Sequence, residues 1–476
     1  MLIVFAFLLN SLMNFAIGLL VAKFLGPEEY GRYALAFLAA SMLQWFLFEW
    51  IRASAVRFYT EANRVTHPEI RATLDAWFLT VMVVVGAAAI VIDVLDIDLG
   101  LSNQLVAAAM AVTIANAVYD FSSSLLRARF RDRAYTMLVV LKNALSFAFV
   151  VGGAWYFGSA RMALLGVLLS VAGVIAFHAR ILIDRDARLS KAQWKLTWQF
   201  LAYAWPICLG SLIYQSIPML DRALAAKWHG LAEAGQFALA FDIAIRVLNA
   251  IGSSLDAFLF QIAVRADHEE GPEASRLQLA NNMAIITAVL VPACIGCLLV
   301  LPSFEEIFVP ASFHGHFARY FIVLTPALTI AAITSFAVNP IFQIAQRTSP
   351  LMIGGLVAAA ANMIAVYILP ATDDAGHLAM AQLVGMVAGF FAVVIYGVFH
   401  GALWPNLRTL LGILLATAAM AAAVWPLHAM TPGLVTLVVQ AFVGVCVYAG
   451  LVAALDLAGL RSLAMARLKG RKVRSA

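Results

Sequence analysis

Charge is scarce in this chain. Only 12% of its 476 residues are Asp, Glu, Lys or Arg, about half the share found in a soluble globular domain. That excludes a largely water-facing surface. The shortage is matched by an excess, since 63% of residues are hydrophobic and the mean hydropathy is +0.92. Apolar runs of roughly 20 residues, enough to cross a bilayer as a helix, recur from end to end. The alternating segments of a membrane β-barrel are missing. Cysteine is also rare: Cys208, Cys294, Cys297 and Cys446 all sit in apolar runs. Cys294-x-x-Cys297 would suit metal or redox chemistry only with a second ligand pair. None accompanies it, and two small apolar side chains on one helix is the simpler reading.

Features that would carry catalysis are absent as well. No Gly-rich phosphate loop or nucleotide-binding domain is visible, so direct ATP drive finds no support. His314-Gly-His316 lies in a loop with no carboxylate cluster beside it, which reads as a solvated loop. No enzyme, metal or cofactor is implied.

Fourteen apolar runs can be delimited: 2–22, 33–51, 73–92, 104–126, 135–157, 162–182, 198–219, 236–260, 279–301, 319–345, 349–369, 377–399, 408–426 and 433–455. The chain enters the first of them at Met1 with no basic leader, and Asn10 and Asn14 interrupt it. It therefore reads as a membrane helix rather than a signal peptide, with missing upstream residues left open. Placing the N-terminus in the cytoplasm puts 23 of the 31 Lys and Arg in inside loops and 6 in outside loops. The inside groups include Arg127 to Arg133, Arg180 to Lys195 and a basic tail from Arg461 to Arg474. This is a strong positive-inside bias, so both termini are expected in the cytoplasm. It also explains the net charge of +5 without nucleic acid. The outside loops are short, and the basic segment 183–197, with Trp194 in it and Trp198 just after it, is expected to lie on the membrane surface.

The chain repeats itself. Residues 19–37 (LLVAKFLGPEEYGRYALAF) and 223–241 (ALAAKWHGLAEAGQFALAF) are identical at ten of nineteen positions without a gap. The matches include Lys23/Lys227, Gly26/Gly230, Glu29/Glu233, Gly31/Gly235 and Phe37/Phe241. The offset equals six spans, an even number, so both copies have the same orientation. Parallel repeats imply a pseudo-two-fold axis along the membrane normal, with a substrate path between the halves. The expected architecture is all-α with about fourteen spans. It comprises a six-helix lobe at 1–182, an amphipathic cytoplasmic linker at 183–197, a second six-helix lobe at 198–399, and two further helices with a basic tail at 400–476.

Polar residues inside the spans are spaced as helical stripes. The eighth span carries Asp242, Arg246, Asn249, Ser253 and Asp256 on one face. Facing lipid, its three charges would cost roughly 8–10 kcal/mol, so the stripe is expected to face protein or water. In the second span, Glu49 and Arg52 fall at the repeat positions of Ser253 and Asp256. The fourth span aligns Asn116, Asp120, Ser123 and Arg127, and the tenth aligns Thr325, Thr329, Asn339, Gln343 and Gln346. Lys142 lies two turns into the fifth. The seventh holds Pro206 and Pro218 and is followed by Asp221–Arg222. Single residues in these stripes serve equally well as locks between helices. The aromatics Tyr30, Trp155 and Trp404 read as interface anchors.

The run AKFLGPEEYGRYALA, followed by a span ending in RASAVRF, resembles the first outside loop and second helix of bacterial polysaccharide flippases. These are the O-antigen and capsule type within the multidrug/oligosaccharidyl-lipid/polysaccharide exporter superfamily. Pro206, Asp221–Arg222 and AEAGQFALAFDIAIRV are similar to their seventh and eighth helices, with weaker matches at Asn362, Pro370 and Gly376. Two departures stand out: Gln261 occupies a position that is often Pro, and the basic leader is missing. The resemblance implies two six-helix lobes around a cavity open to one side at a time, in a bacterial inner membrane. It implies a substrate of oligosaccharide on undecaprenyl pyrophosphate, moved from the cytoplasmic to the periplasmic leaflet. Membrane lipids and a polysaccharide polymerase or export complex are the implied partners. Arg246, Arg52, Arg222 and Lys142 are then candidates to meet the pyrophosphate. Asn249, Asn339 and Gln343 are candidates to meet the sugars. Asp242, Asp256, Asp120, Asp221 and Glu49 are candidates to couple an ion flow.

Four rivals stand against this reading. A cation-coupled multidrug antiporter of the same superfamily would favour acidic and aromatic cavity residues, whereas these stripes are mixed. A lipid II flippase shares the architecture. A major-facilitator transporter should carry a basic, Gly- and Asp-containing loop in 52–72, which is not visible. A membrane glycosyltransferase or ligase would need a large outside loop with catalytic groups.

Overall fold

The computed structural model describes residues 2–461 apart from 60, 98–99, 130, 185–186, 346–348, 371 and 460. Gln346 and the tail from Arg467 to Arg474 lie outside the described residues. Every regular element among those described is helical. Among the described residues, twelve helices are long and apolar enough to cross a membrane, so the protein is a multi-pass membrane protein. Two places account for the difference from fourteen runs. The helix α1 (Leu2–Phe58) contains two of the expected runs, bent at Gly26. The helix α8 (Trp194–His229) is not among the twelve.

The chain packs as two compact units, Met1–Leu239 and Ala240–Ala476. In the first, α1 is followed by α2 (Glu61–Thr66), α3 (Pro68–Val94), α4 (Asn103–Ala128) and α5 (Asp132–Ser146). A π turn leads to α6 (Gly152–Phe157), and then come α7 (Ala160–Leu182) and α8. The long α9 (Leu231–Glu269) starts in this unit. Helix α1 packs on α4, α5 and α8, and α4 packs on α7. Hydropathy and burial run opposite ways. The apolar window of α3 has hydropathy 2.4 and is 11% buried, whereas that of α4 has hydropathy 1.5 and is 56% buried. The more apolar helix is the one offered to lipid, because lipid tails do not penalise exposed Val and Ile.

The repeat acquires a structural meaning at the bends. Gly26 (φ 70°, ψ 175°) divides the two arms of α1, and Gly230 (φ 93°, ψ 168°) separates α8 from α9. Both adopt a positive-φ backbone that glycine enters without a Cβ penalty. One turn further on, the repeat-related glycines meet each other within unit 1. A Cβ on Gly31 would lie 2.0 Å from the Leu231 carbonyl oxygen, and one on Gly235 would lie 2.0 Å from that of Pro27. Pro27 and Leu231 are themselves repeat partners. Glu29 serves the local structure, since it pairs with Arg32 and accepts the Ala160 N–H at 2.8 Å, capping the start of α7.

Among the described residues between α7 and α8, the helical part is one turn at Leu189–Lys191. It is held along one side. Asp184 accepts from the Tyr59 hydroxyl at 2.6 Å and from Arg64 Nε at 2.8 Å. The Gln193 N–H donates to Thr73 Oγ1 at 2.9 Å, and Trp77 Nε1 donates to Thr197 Oγ1 at 2.8 Å. Burial and the Asp184 bond push the Tyr59 phenol up to about 12. Trp194 and Trp198 remain exposed.

The second unit contains the rest of α9, then α10 (Pro272–Leu299), α11 (Leu301–Phe308), α12 (His316–Ile333), α13 (Asn339–Ile344), α14 (Ser349–Ile368), α15 (Gly376–Phe399), α16 (Leu407–Val424) and α17 (Leu434–Leu455). Helices α14 and α15 form its tightest pair, with Gly385 and Gly389 of α15 against Ala358. Pro292 inside α10 deprives the Ala288 carbonyl of its helical donor. The Tyr448 hydroxyl of α17 supplies one at 2.5 Å. A π turn at Thr334–Val338 separates α12 from α13. Such a turn shifts the register of everything after it. Thr325, Thr329 and Asn339 are buried, whereas Gln343, at the end of the short α13, is exposed. The single polar face expected for this span is therefore divided. Trp404 packs its ring against Gly397 of α15.

Candidate functional site

Unit 1 encloses a polar cavity of about 440 Å³. Three helical stripes build it. The arms of α1 give Asn10 and Asn14, then Gln44, Trp45, Glu49 and Arg52. Helix α4 gives Asn116, Tyr119, Asp120, Ser123 and Arg127, and α5 gives Tyr135, Val139 and Lys142. Steps of three and four residues keep each set on one helical face. Packing of α1 against α4 and α5 turns the three faces toward one another.

The charges in this cavity are held by specific partners. Arg52 grips Glu49 with two nitrogens, Nε at 2.7 Å from Oε2 and a second, shorter contact to Oε1. Glu49 is only 5% exposed. Asp120 accepts a hydrogen bond from Gln44 Nε2 at 2.6 Å. Lys142 Nζ stands 5.5 Å from the Tyr119 ring centroid, and the Arg127 guanidinium 5.8 Å from that of Tyr135. Both distances are within reach of a cation–π attraction. The lining therefore carries three cations and two carboxylates.

A second polar layer is made of amides. Asn10 Oδ1 accepts from Asn14 Nδ2 at 2.9 Å and from Asn143 Nδ2 at 3.0 Å. Asn143 is 1% exposed, and its own oxygen has no hydrogen-bond partner.

Of the residues expected from sequence, Glu49, Arg52, Asp120 and Lys142 are brought together here. Asp221 and Arg222 lie elsewhere in unit 1, buried in α8. The remaining candidates belong to unit 2. On α9, Asn249 is exposed and Asp242, Arg246 and Asp256 are half-buried, so the stripe keeps one open face. Asn339 is buried on α13 and Gln343 is exposed. Sequence reasoning assigned no role to Asn10, Asn14, Gln44, Trp45 or Tyr119. A signal was present for the first two, an amide pair at i,i+4 inside an apolar run. Among the described residues no cluster of His, Cys, Asp or Glu could hold a metal ion.

Unit 2 contains a cavity of opposite character, about 450 Å³, between α10, α16 and α17. Its walls are apolar, with Val289, Leu299, Met420, Val424 and Val445 among them.

The polysaccharide biosynthesis protein family matches residues 1–260, including every residue lining the polar cavity. The chain belongs to this family. No curated protein matches the chain in sequence. Solved structures match it in fold. A lipid II flippase, MurJ, in an inward closed conformation superposes with a TM-score of 0.74 at 14% identity, covering 95% of this chain and 98% of the other. An inward-facing multidrug resistance transporter of the MATE family and MOP superfamily gives 0.65 at 16% identity, covering 82% and 94%. A MOP superfamily transporter from Pyrococcus furiosus, described by the reverse polarity of its binding pocket, gives 0.55 at 14%, covering 84% and 93%. This polysaccharide biosynthesis family member thus has the fold of the MOP-superfamily transporters.

Proposed function

We propose that this protein moves undecaprenyl-pyrophosphate-linked oligosaccharide from the cytoplasmic to the periplasmic leaflet of a bacterial inner membrane, by alternating access and with ion coupling. The observation that carries the reading is the polar cavity within a unit of membrane-crossing helices. Such a space, lined by amides and by charges of both signs, suits a hydrophilic head group that lipid tails would reject. The apolar groove of unit 2 supports an amphiphilic substrate, because a polyprenyl tail needs apolar surface. Family membership points to polysaccharide biosynthesis as the setting. The pyrophosphate would meet Arg222 or Arg246, the latter on the half-buried stripe of α9. Asn249, Asn339 and Gln343 would contact sugars. Asp242, Asp256, Asp120, Asp221 and Glu49 are the candidates for ion coupling. Both termini are placed in the cytoplasm by the Lys and Arg bias, and a polymerase or export complex is the partner that would receive the product.

A second reading, a lipid II flippase, is favoured by the MurJ likeness and shares the carrier chemistry. An antiporter for drug cations fits less well, since both cavity carboxylates already have partners in Arg52 and Gln44.

The test is deletion of the gene in its host, with surface polysaccharide and lipid-linked oligosaccharide measured together. Loss of the first and accumulation of the second is expected. Wild-type protein should restore export, and Arg246→Ala, at equal membrane abundance, should restore at most about a tenth of it. Unchanged surface glycan and unchanged intermediates in a host without a second copy would overturn the reading. Accumulation of lipid II with arrest of wall synthesis would replace it by the second reading.

A further inference from the structure

We propose that the polar cavity of unit 1 is a glycan subsite, which receives sugar rings of the head group and not its pyrophosphate. The proposal rests on the flippase reading above and adds which part of the substrate this cavity takes.

The charge balance argues against a pyrophosphate. Arg52 is one of two guanidinium groups in the lining, the group best shaped for a phosphate, yet both of its contacts go to Glu49, which is 5% exposed. Drawing Arg52 away would leave a buried carboxylate without its cation, a strongly unfavourable change. Asp120 adds a second carboxylate to the same space. A doubly charged pyrophosphate would have to share the space with both carboxylates. The cations still facing the space, Arg127 and Lys142, each lie over a tyrosine ring. The lining's three cations and two carboxylates nearly cancel.

The remaining chemistry suits sugars. Asn10, Asn14, Gln44 and Asn116 present carboxamides to the cavity. A carboxamide both donates and accepts hydrogen bonds, as a sugar hydroxyl or acetamido group does. Phosphate oxygens, which only accept, would leave half of that capacity unused. The Asn10 oxygen accepts from Asn14 and from Asn143 behind it, which fixes the orientation of the Asn10 carboxamide before a ligand arrives. Trp45 and Tyr119 line the same space, and an aromatic face packs well on the C–H face of a pyranose. At about 440 Å³ the cavity is of the size that encloses small ligands.

Sequence spacing suggested the opposite allocation, with anion contacts at Arg52 and Lys142 and sugar contacts at Asn249, Asn339 and Gln343. The pairing of Arg52 with Glu49 and the convergence of the amides reverse it for this unit.

The experiment uses full-length protein in detergent and measures thermal stabilisation by two soluble probes. One is the oligosaccharide released by mild acid from the host's lipid-linked pool. The other is geranyl pyrophosphate. Any ligand that binds the folded state alone raises the unfolding temperature, by an amount that grows with the logarithm of one plus the ratio of ligand concentration to Kd. Wild-type protein is expected to respond to both. Trp45→Ala and Asn116→Leu should each weaken the oligosaccharide response about tenfold or more and leave the geranyl pyrophosphate response within about twofold. Trp45→Phe, which keeps a ring, should retain most oligosaccharide binding, so a fold-damaging substitution can be told apart from a lost contact. The reverse pattern, with pyrophosphate binding lost and oligosaccharide binding kept, would overturn the proposal, as would unaltered oligosaccharide binding in both variants. If neither probe stabilises the wild-type protein, the flippase reading itself fails.

Discussion

The crossing of Gly31 and Gly235 gives the most demanding test of how the repeat is built. Replacing Gly31 with Ala places a methyl carbon 2.0 Å from the Leu231 carbonyl oxygen. Ordinary contact begins near 3.4 Å, so the two backbones must part by about 1.4 Å. The opposing atom is backbone, and no side-chain rotation can relieve the clash. Overpacking of this kind costs about 1–3 kcal/mol. Gly235→Ala meets the Pro27 carbonyl at the same 2.0 Å and should cost a similar amount. The two effects should not add. Either methyl opens the same crossing, so the second finds space already made, and coupling of at least about 0.5 kcal/mol is expected between groups in contact. Gly152→Ala is the control: nothing lies within 4 Å of where its methyl would stand, and exchange of a helical Gly for Ala should be neutral or stabilise by up to about 1 kcal/mol. The assay is thermal unfolding of purified protein, with the double variant included. A Gly31→Ala protein as stable as wild type, or a double variant equal to the sum of the single ones, would refute the reciprocal contact.

Two further outcomes follow from individual bonds. Tyr448→Phe should destabilise unit 2 by about 0.5–1.5 kcal/mol, because it leaves the Ala288 carbonyl without the donor that Pro292 made necessary; in a Pro292→Ala background, where the helix supplies its own donor, the loss should shrink, and an undiminished loss in thermal melts would contradict the account. Asp374 concerns pH. Burial by itself would raise its carboxyl, but the bonds from Arg319, the Gly376 N–H and Thr372 prevail and hold it below the usual carboxylate range. A depressed folded-state value means that the stabilisation is present above the ordinary value of about 3.9 and is lost as pH falls through the folded one. The melting temperatures of wild type and Asp374→Asn should therefore differ at neutral pH and converge in acid. A constant difference across that range would count against the mechanism.

Much of the fold was legible because its causes are local. Partition into lipid acts on each run of about 20 residues separately, so the spans could be delimited without knowing their neighbours. The bend inside α1 was legible as the matched Gly26 and Gly230, although the continuation of helix on both sides of Gly26 was not. The polar stripes were also legible, since a spacing of three and four residues places side chains on one face in any helix. Asn10 and Asn14 were visible as polar interruptions of an apolar run. Their role was not, because it depends on Asn143, 129 positions beyond Asn14 in the chain.

The sequence alone determined that this is a helical membrane protein with an internal repeat, and it determined which residues share a helical face. Tertiary structure alone decided which faces meet. The period of a helix sets the angles between its own side chains and leaves the rotation of the whole helix about its axis open. That rotation is set by packing against neighbours remote in sequence. Packing turned α1, α4 and α5 inward to one cavity, assigned Glu49 and not a ligand to Arg52, and set Gly31 against Gly235, where only the absence of a side chain lets two backbones touch.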